Sequence, residues 1–352
     1  MSNSLEMSEA IDLIRRSTEG LASRRDLARV RALRYKHAGF DQAAWSSMCE
    51  LGWPALRLAE GRGGVGLSIA AYCALAEEMG AALVPEPLIP AALVAALLEG
   101  GPLESHLAGD TLVLPAWQDE PDAAAPSDRE FLRDGRLHGA KRFIPMARSA
   151  DAFLVIAPDG NWLVAADAPG VTLSYDETQD GGHYGTLLLD GVEGEGIIGN
   201  AGAALAEACL ATSAYLLGVM DAVLERTAEF LKTRIQFGKP LASFQALQHR
   251  MVDLQLEFEL TRASISDAAA RWDREGPTDA SLAGVSRAKA RAAEAAALIA
   301  RSSIQLHGGI GYTDEHDIGL YLRKVMVTAP QYGSARLHRQ RFAALMPLQS
   351  ED

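Results

Sequence analysis

The chain has 352 residues, 48% of them hydrophobic, which is enough for two or three domains with a sizeable core and argues against wholesale disorder. A formal net charge of −13 and a pI near 5.1 exclude the basic footprint that binding to a nucleic-acid backbone requires. The three cysteines, Cys49, Cys73 and Cys209, stand too far apart to frame a metal site or a disulfide set, so buried thiols in a reducing compartment are expected.

The N-terminal stretch Met1–Glu6 lacks the basic region and apolar run of a secretory signal. The longest apolar run, Leu88 to Leu98, is broken by Pro90 and is too short to span a bilayer. A cytoplasmic protein with no membrane insertion is the expectation. From Ser8 to about Gly101 the apolar spacing is helical, with Ile11, Leu13, Ile14, then Val30 and Leu33, then Trp45, Met48 and Leu51. A Gly-rich knot, Gly61-Arg62-Gly63-Gly64-Val65-Gly66, precedes Ser68, which can cap a helix through Cys73, Leu75 and Met79. The knot formally fits the G-x-G-x-x-G dinucleotide fingerprint. Trp53-Pro54 precedes it instead of a buried strand and no acidic ribose ligand follows, so a tight turn between helices is the better reading.

Near Gly109 the period changes. Short strand-like runs at 111–114, 136–139, 152–156, 162–165 and 187–189 alternate with turn groups such as Asp134-Gly135, Pro158-Asp159-Gly160-Asn161 and Asp180-Gly181-Gly182. Glu120 to Ser127, rich in Ala, Asp and Pro, reads as an exposed loop. From Ala201 the chain is helical again: one helix through Leu210, Leu217, Leu224 and Phe230, and a second through Phe244, Met251 and Phe258. After Gly276-Pro277 an Ala-rich helix runs from about Thr278 to Leu306, and a shorter one follows Asp314. The fold class is α+β: an N-terminal helical domain over 1–105, a small antiparallel β domain over 106–198, and a C-terminal antiparallel four-helix bundle over 199–352.

Between the first two bundle helices lies a break that concentrates cationic, amide and aromatic groups: Arg234, Gln236, Phe237, Gly238, Lys239 and Pro240, then Phe244, Gln245 and His249. Gly238 and Pro240 stop the first helix, and Arg234 in its last turn suits the helix dipole. The stretch reads as a helix-turn-helix corner or as a ligand seam, with Arg for a phosphate or pyrophosphate and Phe for an aromatic ring system. Hydrolytic and metal chemistries have no support: there is no G-x-S-x-G elbow, His307-Gly308-Gly309 follows a helix rather than a strand, and the eight histidines form no H-x-x-x-H pair.

Several segments together resemble the acyl-CoA dehydrogenase family from end to end. They are Leu51-Gly52-Trp53-Pro54, Gly63-Gly64-Val65-Gly66 and Glu77-Glu78-Met79-Gly80; then Gly139-Ala140-Lys141-Arg142-Phe143 and Ala150-Asp151; then Arg234-x-Gln236-Phe237-Gly238-Lys239-Pro240, Phe244-Gln245 and Gln305-x-His307-Gly308-Gly309-x-Gly311-Tyr312-Thr313. The resemblance implies an FAD-dependent oxidoreductase of lipid metabolism that removes the α-proton of an acyl-CoA and passes the β-hydride to flavin. It also implies assembly as dimers or tetramers, with electron-transfer flavoprotein or another acceptor downstream. Arg234 would meet the pyrophosphate, with Gln236 and Phe237 beside the cofactor and Phe244 and Gln245 along its adenosine side. Gln305, Leu306, Gly308 and Gly309 would come from the neighbouring subunit, and Ser334 would also contact the cofactor. The bottom-up reading agrees, because a bidentate Arg suits a diphosphate.

The catalytic base is where the sequence departs. The family's Glu precedes Gly and Thr or Ser, whereas Gln331-Tyr332-Gly333-Ser334 puts Tyr332 in that slot. A phenol with an ordinary pKa of about 10 is a poor base for this step. Some members carry the Glu on the first bundle helix, a position that falls on Ala208 by ungapped count, with Glu207 one residue or about 100° away. Glu207 is therefore the candidate base, with a solvated bundle-end carboxylate as its other reading. CoA-contacting positions of that helix read Ala206 and Cys209, and the flavin-facing Trp-x-Thr segment reads Phe143-Ile144-Pro145. Trp117 is left as a ring for the flavin or for simple packing. The resemblance leaves two functions open: a self-sufficient dehydrogenase, or a base-less subunit that gives half of a flavin site to a catalytic paralogue. Short-form relatives acting on bulky steroid side-chain thioesters resemble the second arrangement. A monooxygenase or nitroalkane-type oxidase on the same scaffold would also need a positioned base or an oxygen-activating site.

Overall fold

The computed structural model describes residues 2–18 and 20–346. Met1, Glu19 and residues 347–352, which include the outer ends of the first and last expected domains, lie outside the described residues. Helices α1 (Ser2–Ser17), α2 (Ala28–Leu33), α3 (Gln42–Glu50), α4 (Ile69–Ala81), α5 (Leu88–Ala95) and α6 (Gly100–Ala108) come first. Strands follow: β1 (Val113–Ala116), β2 (Leu132–Arg133), β3 (Arg136–Pro145), β4 (Ala152–Ala157), β5 (Gly160–Ala165), β6 (Val171–Glu177), β7 (His183–Val192) and β8 (Glu195–Ile197). Then come α7 (Ala201–Thr233), the two-residue strands β9 (Ile235–Gln236) and β10 (Lys239–Pro240), and helices α8 (Gln245–Glu275), α9 (Asp279–His307), α10 (Ile318–Thr328) and α11 (Ala335–Leu345). The chain divides into two compact units: Met1–Ala28 with Cys73–Val84 and Cys209–Asp352, and Arg29–Tyr72 with Pro85–Ala208.

In the second of these, two four-stranded sheets run in the orders β1-β4-β5-β8 and β2-β3-β7-β6. β4 is buried along its whole length, as its apolar run requires, while β7 alternates and carries β3 and β6 on its two edges. The expected antiparallel pairing holds except for β1, which pairs with β4 in parallel. The chain leaves β1 at Ala116 and returns at Ala152 only after β2 and β3, and such a crossover is the condition for parallel pairing. Strand β6 was not among the expected runs because Thr172, Ser174 and Asp176 alternate with its apolar residues along a half-exposed edge. The Gly-rich knot is the expected turn: it opens in a short 3-10 segment at Glu60–Arg62, and a Cβ on Gly64 would lie 2.1 Å from the Leu58 carbonyl. Ser68 caps α4, accepting from the Ala71 N–H at 3.2 Å.

In the other unit α9 is the hub, packed against α8, α10 and α11. Its alanines are mostly buried, and a capping box of Thr278 and Ser281 starts it. Where α4 meets α7 two glycines replace side chains: a Cβ on Gly218 would lie 1.8 Å from the Glu77 carbonyl, and one on Gly80 1.9 Å from that of Tyr215. Among the described residues α7 is the one helix long and apolar enough to cross a membrane, and 89% of its apolar window is buried within the protein. Its hydrophobicity is used in the core. All three cysteines are free and buried.

Candidate cofactor corner and base slot

The corner after α7 is sharper than a helix-turn-helix. β9 and β10 form a minimal hairpin, Gln236 opposite Lys239 and Ile235 opposite Pro240, with Phe237 and Gly238 as its two-residue loop. Both loop residues have positive φ, +54° and +78°, which is the type I′ geometry that matches strand twist. Gly238 adopts this freely, but a bulky aromatic in the left-handed region costs about 1 kcal/mol and persists where function or surroundings demand it. Phe237 is nonetheless 89% exposed. Its ring meets Phe244 edge-on at 6.1 Å, and the Lys239 ammonium lies 4.3 Å over the Phe244 ring. The backbone of Arg234 closes the corner, its N–H donating to Phe230 at 2.8 Å and its carbonyl accepting from Leu241 at 2.9 Å. Its guanidinium is exposed and makes no hydrogen bond or ion pair among the described residues. Phe244 is the N-cap residue of the 31-residue α8, so Gln245 stands at a positive helix terminus.

The second segment caps α9. Gln305 is exposed, whereas the Leu306 side chain is buried, so only its backbone can meet a ligand. His307 stacks on Phe230 at 4.3 Å and tilts against His316 at 4.7 Å, which brings the ends of α7 and α9 together. Its Nδ1 donates to the Ser303 carbonyl at 2.8 Å; burial holds the imidazole below its ordinary value against that bond, and His316 adds to the shift. A Cβ on Gly309 would touch nothing within 4 Å, and its φ is not positive. Neither packing among the described residues nor backbone strain accounts for glycine there.

Ser334 stands apart from both segments. Its hydroxyl is the N-cap of α11, accepting from the Leu337 N–H at 3.3 Å. Before it, Tyr332 is buried with φ of +58°, and Gly333 follows at +106°. Two buried side chains hold this turn: Lys289 of α9 donates to the carbonyls of Ala329 at 2.6 Å and Gly333 at 2.9 Å, and His338 of α11 to that of Tyr332 at 2.8 Å. The His338 ring also lies 3.7 Å from the Cys209 thiol, which burial pushes up to about 11. Sequence reasoning missed Lys289, although a lone lysine on an otherwise alanine face of α9 was the available signal.

In the other unit Glu207 is not in an apolar pocket. Arg57 grips both its oxygens, from Nη2 at 2.6 Å and Nε at 3.1 Å, while Nη1 donates to the Leu67 carbonyl at 2.5 Å. The pair ties the start of α7 to the Gly-rich turn. Trp117 is buried, and its carbonyl accepts from the fully buried Lys141 at 3.1 Å. The Lys141 ammonium sits 3.9 Å over Phe131, and burial drops it to about 8. Phe143 lies at an irregularity of β3, with φ of +57° and its ring edge-on to Tyr184.

An α+β chain whose helical bundle ends in a cationic, aromatic hairpin beside a glycine-capped helix has the outline of a nucleotide-cofactor enzyme. Family models agree: the acyl-CoA dehydrogenase N-terminal domain matches residues 8–103 and the acyl-CoA dehydrogenase C-terminal domain residues 198–346. Acyl-CoA dehydrogenase IpdE2 of Mycobacterium tuberculosis is 33% identical over 331 residues, 92% of this chain and 91% of that protein. Among solved structures, a variant of the Tcur3481-Tcur3483 steroid ACAD is 31% identical with a TM-score of 0.86, covering 97% of this chain and 98% of that one. The ChsE4-ChsE5 complex from Mycobacterium tuberculosis is 26% identical with a TM-score of 0.80, covering 96% of both chains. The chain belongs to the acyl-CoA dehydrogenase family and has its fold. FAD is the cofactor of that family and, with membership, of this chain.

Proposed function

We propose that this chain is a subunit of an FAD-dependent enzyme for α,β-dehydrogenation of an acyl-CoA, acting beside a paralogous chain that supplies the catalytic carboxylate. The observation that carries this reading is the turn at the base slot: Tyr332 is buried there at φ of +58°, held by Lys289 and His338, with no carboxylate in the Gln331–Ser334 stretch. Glu207, the other candidate, has both oxygens on Arg57. A carboxylate base works best with its basicity raised in an apolar pocket, and a bidentate guanidinium opposes that.

The cofactor corner fits FAD. Arg234 offers a bidentate donor for a diphosphate, the exposed Phe237 and Phe244 rings offer apolar faces, and Gly308-Gly309 allows close backbone approach. Gln236, Gln245 and Gln305 supply amides for polar edges. Bound FAD supplies the hydride acceptor. These groups support a chain that holds the cofactor and takes its proton-abstracting carboxylate from a partner. The two solved relatives, the Tcur3481-Tcur3483 steroid ACAD and the ChsE4-ChsE5 complex, are each named for two components, which supports a paralogous partner and, in the steroid case, a bulky polycyclic acyl group. Electron-transfer flavoprotein or another acceptor would reoxidise the flavin. A homomeric enzyme with Glu207 as base is the second reading, favoured by the 22% exposure of that side chain.

The test is purification of the chain alone and after co-expression with a Glu-bearing paralogue from the same genome. Flavin per chain is measured, then the flavin band is followed anaerobically with a straight-chain and a polycyclic acyl-CoA. Bleaching only in the co-expressed complex is expected. Stoichiometric flavin in the lone chain, bleached by either thioester, would overturn the proposal.

A further inference from the structure

A cluster of three rings links the two segments read as cofactor contacts. Phe230, one turn before Arg234 on α7, lies face to face with His307 at 4.3 Å, and its carbonyl is the one that accepts from the Arg234 N–H. His307 immediately precedes Gly308, where α9 ends at φ of +65° and ψ of −143°, a backbone that residues with a Cβ rarely adopt. His316, on the short approach to α10, closes the cluster, 4.7 Å from His307 and 6.2 Å edge-on from Phe230. A shift of the His307 ring reaches Gly308 through one peptide bond, and Arg234 through one hydrogen bond beyond Phe230. The ring can take a proton, and its surroundings do not suit one. Nδ1 is the donor to the Ser303 carbonyl, so in the neutral ring Nε2 carries a lone pair. That atom is buried and has no hydrogen-bond partner among the described residues, and the residue is only 4% exposed. A proton on Nε2 would make a charged donor without an acceptor. Burial is the main cause that disfavours the charge, and His316 adds repulsion; the Phe230 face returns part of this as a cation–π contact without reversing the balance. The charges nearby in sequence are committed to one another: Arg226 of α7, one turn before Phe230, with Asp317 at 3.6 Å, and Arg323 of α10 with Asp314 at 2.6 Å.

We propose that His307 is an acid-sensitive positioning residue: neutral, it holds the end of α9 and the corner at Arg234 in the form that retains FAD, and protonated, it releases both. The proposal rests on reading Gly308-Gly309 and the Arg234 corner as cofactor contacts. Its sign follows from linkage. Protonation is resisted while the ring is stacked and buried, and is ordinary once the cluster opens. The open form therefore gains on the closed one as pH falls below about 6.5, by about tenfold per pH unit for one proton, and the gain levels off where the stacked ring itself titrates. Flavin release follows the same course, because opening loosens the glycine cap of α9 and the Arg234 corner together.

The test follows the FAD-loaded protein, in the assembly that carries flavin, from about pH 7.5 to about pH 5. Release is read as recovery of flavin fluorescence after dilution. In the parent it should accelerate by about tenfold per pH unit over part of the range below about 6.5. In His307→Gln, which keeps a donor for the Ser303 carbonyl but cannot become charged, it should change by no more than about twofold. His307→Phe, which keeps the ring stack, gives the same comparison if the glutamine variant fails to fold. Hydrogen exchange of the 301–315 segment in the same protein stripped of flavin, corrected for the chemical exchange rate, is the second readout. Its protection should fall over the same pH interval in the parent alone. Acid-dependent release that persists in both variants would overturn the role of His307 and leave the cofactor contacts standing. Loss of protection without a change in release would overturn the proposal together with the reading of these segments as contacts. Release and protection that are both independent of pH would overturn it as well.

Discussion

Glu207 decides between the two readings of this chain, and its ion pair with Arg57 sets what its removal must cost. Both contacts, 2.6 and 3.1 Å, engage separate carboxylate oxygens, and the side chains are 23% and 22% exposed. Exposed pairs contribute about 0.2–1 kcal/mol, and removing one partner of a fully buried pair costs about 3–5 kcal/mol. A bidentate pair at this depth lies between them, at about 2 kcal/mol for Glu207→Leu. In a unit of this size that lowers the melting temperature by about 4–8 °C. Glu207→Gln keeps one acceptor for the guanidinium and should cost about 1 kcal/mol. The Arg57→Leu, Glu207→Leu double variant should be no worse than the worse single, a coupling of about 1.5–2 kcal/mol. Calorimetry on the four proteins measures this, with flavin bleaching of the co-expressed complex run in parallel. If Glu207→Gln melts with the parent yet cuts bleaching more than a hundredfold, the carboxylate is a base rather than a latch, and the reasoning is refuted.

Three further outcomes are expected. Phe237→Gly relieves left-handed strain of about 1 kcal/mol but adds about 0.5–1 kcal/mol of unfolded-state freedom, so stability should move little while flavin retention falls at least tenfold; absorbance after dialysis reads it. Lys289→Met leaves the Ala329 and Gly333 carbonyls without their donor at about 1–3 kcal/mol each, so a loss of about 2–6 kcal/mol should appear in urea titration. His183, pushed from 6.5 down to about 4 by burial, Arg148 and His37, stays neutral when folded and accepts from the Arg148 N–H at 3.0 Å. The unfolded chain takes up the proton first as pH falls, so this group's contribution is whole above about 6.5 and is lost on the way down to about 4. That is worth about 3 kcal/mol at 1.36 kcal/mol per pH unit. His183→Gln should flatten the stability profile over that window, and an unchanged slope would remove His183 as its cause.

The sequence by itself determined a great deal here, and the reason is local. Helical period, the Ser68 cap, the Ala density of α9 and the Asp134-Gly135 turn act within a few residues, so they can be read without knowing what packs on them. The candidate corner is local in the same sense, since Arg234, Phe237 and Gly238 lie within five residues of one another. Edge strand β6 escaped because half-exposed polar alternation looks like loop, and the parallel β1–β4 pair escaped because its partners lie far apart along the chain. What only the tertiary structure decided is which neighbours the polar groups acquire. Arg57 reaches Glu207 across 150 residues, Lys289 reaches Gly333 across 44, and Gly80 and Gly218 are small because a carbonyl of the crossing helix occupies the space. A buried charge or an absent Cβ takes its meaning from whatever packs against it, and those contacts form only when the chain folds.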